Sequence, residues 1–274
     1  MSDGCKTCGQ SEGCNGESCS VSPEQKQNIK NIIAVMSGKG GVGKSSVTAL
    51  LAAALNNKGY SVGIMDADIT GPSIPRLFGL KGGQLENGSR GIMPAKTKSG
   101  IEVMSLNLLL PNEDDPVIWR GPVIAGMINQ FWTEVEWGEL DYLLVDLPPG
   151  TGDVPITVMQ TLPLNGVIIV TTPQSLVSMI VKKAINMAGK MNISVLGLID
   201  NYAYVECPDC KLKINLFGND NTEEMASKMG IPLLGQLPLD PKFVEFSDRG
   251  QLEGYLKNDS TIKKVVSNIA QMFN

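Results

Sequence analysis

From Ile29 onward the chain alternates between short, almost continuous apolar runs and longer stretches whose apolar residues recur at helical spacing. NIIAVMS, YSVGIMDAD, IEVMSL, DYLLVDLPPG, GVIIVTTP, ISVLGLIDN and IPLLGQLP read as strands. The most continuous of these runs carry no polar face, which is the signature of strands buried on both sides. Between them, SSVTALLAAALNNKG reads as a helix ended by Gly59, and GPVIAGMINQFWTEV, QSLVSMIVKKAINMAGKM and TEEMASKMG read as further helices. A short helix is predicted near Lys242 to Asp248, and a last one from about Ser260. Strand–helix alternation of this kind predicts an α/β fold: a mostly parallel, doubly wound sheet with helices on both faces. The stretch from Ile69 to Gly100 is turn-rich, and its KGGQLENGSRG portion reads as a hairpin or loop. In the last helix Ile262, Val265, Val266, Ile269 and Phe273 share one face. With only Lys263 and Lys264 as basic residues there, that face reads as packing against the domain rather than lying on a membrane.

Residues 1–28 break the pattern. They are rich in Gly, Ser, Cys and polar residues, with almost no large apolar side chains, and cannot build a core alone. The expected organisation is therefore a cysteine-rich segment, metal-binding or flexible, over 1–28, and one α/β domain over 29–274.

Composition changes the picture in three ways. A net charge of −5 argues against a nucleic-acid surface. No apolar run approaches the ~20 residues that span a bilayer, and MSDGCKTCGQ lacks the apolar segment of a secretory signal. The expectation is a cytoplasmic protein with no membrane and no nucleic-acid partner. Histidine is absent altogether, so metals must be held by Cys, Asp or Glu, and protons moved by carboxylates, lysine or water.

The chemistry concentrates at Gly38–Ser45, GKGGVGKS, which fits the phosphate-binding pattern G-x-x-x-x-G-K-[ST] between a predicted strand and helix. Gly38, Gly40, Gly41 and Gly43 let backbone N–H groups of the loop, including Lys39 and Val42, close around phosphate oxygens, with Ser46 beside them. Lys44 is expected to neutralise the β- and γ-phosphates, and the Ser45 hydroxyl to bind Mg2+. Asp146 ends an apolar strand in the position of a carboxylate that holds Mg2+ through water, and Gly150 follows where the γ-phosphate can be sensed. Asp66 and Asp68 end another strand, where α/β proteins bind ligands or where acids simply cap turns.

The early lysine, Lys39, makes the loop resemble the deviant phosphate-binding signature of the MinD/ParA and nitrogenase iron-protein class. DADITGPSIPRLFG, VIWRGP, DYLLVDLPPGTGD, TTPQ and DNYAYVECPDC extend the resemblance, from about residue 30 to 250, to the Mrp/ApbC family of iron–sulfur cluster carrier ATPases, relatives of the eukaryotic cytosolic Fe–S scaffolds. The resemblance implies that Lys39 reaches the nucleotide of a second subunit, so that ATP is sandwiched in a homodimer. It implies that Asp68 positions or activates the attacking water. Asp66 and Asp146 serve Mg2+ directly or through its shell, Asn201 holds the adenine, and Pro238 and Asp240 form the other side of the base pocket. Arg120 belongs to the shared WRGP stretch.

Six cysteines remain: Cys5, Cys8, Cys14, Cys19, Cys207 and Cys210. The last two form C-P-D-C, and two thiolates do not complete a four-coordinate site. A symmetric dimer would supply four. From spacing alone, zinc and an iron–sulfur cluster both stay open; the resemblance implies a bridging [4Fe-4S] cluster. The N-terminal set runs C-x2-C-x5-C-x4-C and could wrap a second cluster or a zinc ion within one chain. It departs from the scaffold relatives, whose lone cysteine precedes the triplet. The function expected is a slow, switch-like ATPase that carries a [4Fe-4S] cluster from a donor to apo-protein clients. The alternatives are a MinD/ParA-like positioning ATPase with structural zinc and an ATP-driven electron donor.

Overall fold

The structure is a computed structural model that describes residues 28–273 except 70, 72, 84, 90, 111–120, 175–176, 218–221 and 257–259. The expectations for Cys5, Cys8, Cys14, Cys19 and Arg120 fall outside the described residues.

The elements run β1 (Ile29–Ser37), α1 (Lys44–Asn56), β2 (Val62–Asp66), α2 (Ile74–Leu77), β3 (Ala95–Lys96), β4 (Glu102–Ser105), α3 (Gly121–Thr133), β5 (Leu140–Asp146), α4 (Asp153–Thr161), β6 (Gly166–Thr171) and α5 (Val177–Lys190). After these come β7 (Val195–Asp200), β8 (Val205–Glu206), β9 (Lys213–Ile214), α6 (Thr222–Lys228), β10 (Leu233–Gln236), α7 (Pro241–Asp248), α8 (Leu252–Tyr255) and α9 (Ser260–Gln271). An eight-stranded sheet has the order β10-β7-β6-β1-β5-β2-β4-β3. Among the described residues of that sheet only the β3–β4 pairing is antiparallel. Doubly wound topology follows from the apolar runs: strands such as β1, β2, β5 and β6 need both faces covered, and only crossover helices can cover both.

The chain winds outward from β1 to β2 and β4, returns at β5, then crosses β1 to β6, β7 and β10. The loop after β1 therefore lies where the winding reverses, the place where open α/β sheets bind ligands. Register brings the acidic strand ends together, since Asp146 lies opposite both Val35 and Asp66.

One apolar layer joins α1, α8 and α9 to one face of the sheet; the other joins α3, α4 and α5 to the opposite face. Helix α1 is buried on nearly every side, from Val47 through Leu55, because α9 covers what the sheet does not. Its alanines let both neighbours approach. Ile262, Val265, Val266 and Ile269 of α9 are at most 1% exposed, so the amphipathic face is part of the core, as its pattern implies. Among the described residues no helix is long and apolar enough to cross a membrane. The segments that periodicity did not reveal are α2, α8, β3, β8 and β9, each two to four residues long, and α4. Runs of two to four residues hold about one period of a strand or helix pattern, too little to show a repeat.

Candidate functional site: a phosphate loop and a cysteine hairpin

The loop between β1 and α1 is held by its neighbours. Ser37 Oγ donates to Lys39 O at 3.0 Å, and Gly150 N donates to Ser37 O at 2.8 Å, which ties the loop after β5 to the phosphate loop. Two glycines are dictated by geometry. At Gly43 φ is +75°, and a Cβ would lie 2.3 Å from Asn201 Nδ2 and 2.7 Å from Tyr202 Oη. At Gly38 a Cβ would lie 2.0 Å from Ile180 Cγ2 on α5. Close packing, rather than unusual φ, requires that glycine.

Lys44 opens α1 and is 5% exposed. Its Nζ lies 2.8 Å from Asp146 Oδ2 and 3.9 Å from Asp68 Oδ2. Ser45 Oγ donates to Asp146 Oδ2 at 2.5 Å, and Thr48 Oγ1 donates to Asp146 Oδ1 at 2.8 Å. Thr48 was not anticipated from the sequence. Its spacing of four from Lys44 puts it on the same helix face, a signal visible only once Asp146 is known to lie there.

Asp66 is 1% exposed. It accepts from Ser105 Oγ at 3.1 Å and from the Asp68 backbone N–H at 3.2 Å. Burial, and then the Asp146 charge beside it, push its pKa up to about 8, against the pull of Lys44. Asp66 and Asp146 thus share a buried corner with Lys44, and Asp68 lies at its edge. A divalent cation there would relieve the carboxylate repulsion. Ser45 Oγ and Asp146 are the donors that suit Mg2+, which takes few protein oxygens and keeps the rest for water and phosphate. The pairing of a hydroxyl with a buried carboxylate fits that ion.

On the other side of the loop, Asn201 is buried at the end of β7 and donates from Nδ2 to Val42 O at 2.9 Å. A cleft beside it is lined by Ser46, Asn201, Tyr202, Pro238, Asp240 and Phe243. This brings the three expected base-pocket residues together. Asp240 is also the N-cap of α7: its Oδ1 accepts from Lys242 N and its Oδ2 from Tyr255 Oη, each at 2.9 Å. Tyr202 and Phe243 add ring surface that sequence reasoning missed. Tyr202 holds φ at +58°, a conformation no motif announced.

Lys39 is half-buried, and its ammonium donates to Gln174 Oε1 in the TTPQ stretch after β6.

Cys207 and Cys210 sit at the tip of the β8–β9 hairpin, outside the large sheet. Cys207 N donates to Leu212 O and Lys211 N to Cys207 O, both at 3.0 Å, with Lys211 at φ +61°. The backbone N–H groups of Cys210 and Asp209, and then the Cys210 side chain, hold the Cys207 thiol below its ordinary pKa. Both thiols are free and at least partly exposed. Among the described residues no three Cys, Asp or Glu side chains converge as a metal site, and two thiolates alone do not complete a four-coordinate one. The hairpin leaves the same end of the sheet as the phosphate loop, because it follows Asn201 and Tyr202 directly.

Comparison with known proteins gives the family. A family model described as ParA, NUBPL iron-transfer P-loop NTPase, matches residues 28–274. The chain is similar to an "iron-sulfur cluster carrier protein" of Clostridium perfringens, 48% identical over 92% of this chain and 94% of the relative. It is similar to the cytosolic Fe-S cluster assembly factor CFD1 of Kluyveromyces lactis, 45% identical over 83% of each chain. Among solved structures, a nucleotide-binding protein of Archaeoglobus fulgidus in complex with ADP is 49% identical, with a TM-score of 0.76 over 83% of this chain and 89% of that one. A chain of the MinC:MinD cell division protein complex of Aquifex aeolicus shares the fold at 21% identity, with a TM-score of 0.64 over 88% of this chain and 96% of that one.

Proposed function

This chain belongs to the NUBPL iron-transfer P-loop NTPase family, and from that premise we propose that it is an ATP-dependent carrier of a [4Fe-4S] cluster. Two chains pair as a homodimer. Their Cys207 and Cys210 pairs meet across the twofold axis and hold one cluster as cargo, which passes from a donor to apo-protein clients by thiolate exchange. The observation that carries the proposal is the hairpin itself: two free thiols, one already biased toward thiolate, joined through Asn201 and Tyr202 to the loop that would hold ATP.

The residues divide the work. Loop N–H groups and Lys44 hold the phosphates, and Asn201 with the Pro238–Asp240 cleft holds the base. Mg2+, carried by Ser45 Oγ and Asp146, supplies charge neutralisation at the phosphates. Asp68, at the edge of the acidic corner, orients the attacking water. Lys39 approaches the partner's nucleotide, as an arginine finger does in other P-loop proteins. Hydrolysis is slow and resets the docking of the two chains. Of the two features that would favour the positioning-ATPase alternative, a basic amphipathic C-terminus and a basic dimer face, the first is not supported, because the apolar face of α9 lies in the core.

Replacing both Cys207 and Cys210 by serine should abolish cluster transfer to an apo-ferredoxin-type client while nucleotide binding persists. Survival of transfer would refute the proposal. Iron per reconstituted chain separates the two cysteine sets: about two Fe for a shared cluster alone, about six if Cys5, Cys8, Cys14 and Cys19 hold another. Zinc without sulfide would make the cysteines structural clips.

A further inference from the structure

Two lysines flank the phosphate loop, and the chain treats them differently. Lys44 sits between Asp146 and Asp68. Lys39 pairs with no carboxylate among the described residues; its ammonium is taken by the neutral side-chain oxygen of Gln174. Both ends of this contact are fixed at the backbone. Lys39 O accepts from Ser37 Oγ at 3.0 Å. Gln174 N donates to Thr172 O at 2.7 Å across Pro173, whose ring restricts the turn. Thr172, buried just after β6, starts that turn at the carboxyl end of a strand inside the sheet. A carboxamide can hold an ammonium by one charge-assisted hydrogen bond without cancelling its charge. The lysine is thereby restrained in direction and remains a cation.

We propose that Gln174 is an intrachain latch for Lys39: it holds the lysine in its own subunit and must release it before Lys39 can serve the nucleotide of a second copy, so it sets the threshold of ATP-dependent dimerisation. The inference rests on the reading of Lys39 as a lysine that acts in trans. A chain whose lysine is latched is not competent to pair, and apparent affinity falls by the competent fraction. Half open to water, this bond falls in the range of an ordinary net hydrogen bond rather than that of a fully buried charged one, which is a bias of about fivefold to tenfold per chain. A dimer must open two latches, so the lower figure squares to about 25-fold in the dimer dissociation constant.

The experiment uses the full chain, with sedimentation equilibrium in a non-hydrolysable ATP analogue and steady-state ATP turnover. Gln174→Met, which keeps side-chain bulk without the acceptor, and Gln174→Ala should tighten the dimer by about 25-fold and raise turnover at low protein concentration. Gln174→Glu, which turns the latch into an ion pair, should weaken the dimer. In a Lys39→Ala chain none of the three substitutions should move the dimer constant. Weaker dimerisation of both Gln174→Met and Gln174→Ala, or equal effects with and without Lys39, would overturn the latch. If Lys39→Ala itself changes neither dimerisation nor turnover, the trans reading of Lys39 falls and the latch with it. If Lys39→Ala impairs both while Gln174→Met does not tighten the dimer, the latch alone falls.

Discussion

Replacing Gly38 by alanine adds one methyl group where the structure has no room. The new carbon would lie 2.0 Å from Ile180 Cγ2, 3.0 Å from Ile180 Cβ and 3.2 Å from the Ile180 backbone carbon. Carbon atoms in contact prefer about 3.5–4.0 Å, so the tip of Ile180 must retreat by about 1.5 Å. Turning the side chain clears Cγ2 but not the backbone carbon, so the first turn of α5 or the phosphate loop has to shift as well. Overpacking of this kind costs about 1–3 kcal/mol. At about 2–4 °C per kcal/mol for a domain of this size, the melting temperature should fall by several degrees. Where the strain relaxes by moving the loop, nucleotide affinity should fall too, about tenfold for each 1.4 kcal/mol. The assay is thermal and urea unfolding with nucleotide titration, on Gly38→Ala, Ile180→Ala and the double variant. Ile180→Ala alone removes partly buried methyl groups and should cost about 2 kcal/mol or less. The double variant should lose much less than the sum of the two, because the second change opens the space the first one fills. Wild-type stability and affinity for Gly38→Ala, or strictly additive losses in the double variant, would refute the packing account of this glycine.

Other consequences of the site are as direct. Asp146→Asn removes the charge that Lys44, Ser45 and Thr48 share; Mg2+-dependent hydrolysis should be lost. The stability cost in urea unfolding should fall below the about 3–5 kcal/mol of a broken buried pair, because Asp68 still faces Lys44 and Asp66 is relieved of a like charge. Far from the site, Lys30 holds the Asp141 carboxyl below its ordinary pKa through a 2.7 Å contact, with help from the Ser61 N–H. The sign follows from the depressed folded value: this stabilisation is present above the unfolded pKa and is lost as pH falls through the folded one. Asp141→Asn should therefore lower the melting temperature slightly at neutral pH, and the difference should vanish toward pH 3 and below; a pH-independent difference would refute the ion-pair account.

Much of the architecture is written in local pattern. The apolar runs of β1, β5 and β6 could not have one wet face, so a sheet covered on both sides followed. GKGGVGKS between a strand and a helix located the phosphate loop, and the strand-end acids located its acidic corner, because a parallel sheet brings such ends to one edge. The α9 stripe of Ile262, Val265, Val266 and Ile269 announced a packed face. What the sequence could not supply was contact between residues far apart in the chain. That Asn201 binds Val42 O, that Ile180 forbids a side chain at Gly38, and that Thr48 joins Ser45 on Asp146 depend on the order in which strands lie beside each other. No periodicity encodes that order.

The cysteines show the same division. C-P-D-C was enough to say that two thiolates alone leave a four-coordinate site incomplete. Only the fold revealed that the pair caps a hairpin of two-residue strands, with backbone N–H groups aimed at Cys207. Likewise the second lysine stood out by its place in the motif, while its partner, Gln174, emerged only from the structure. Residue type and spacing determine which groups can do chemistry, since charge, thiol and hydroxyl belong to the side chain itself. Which groups share a water-poor corner, and so shift one another's charge and reach, is decided by tertiary packing, since it is burial and distance that set the strength of their interactions.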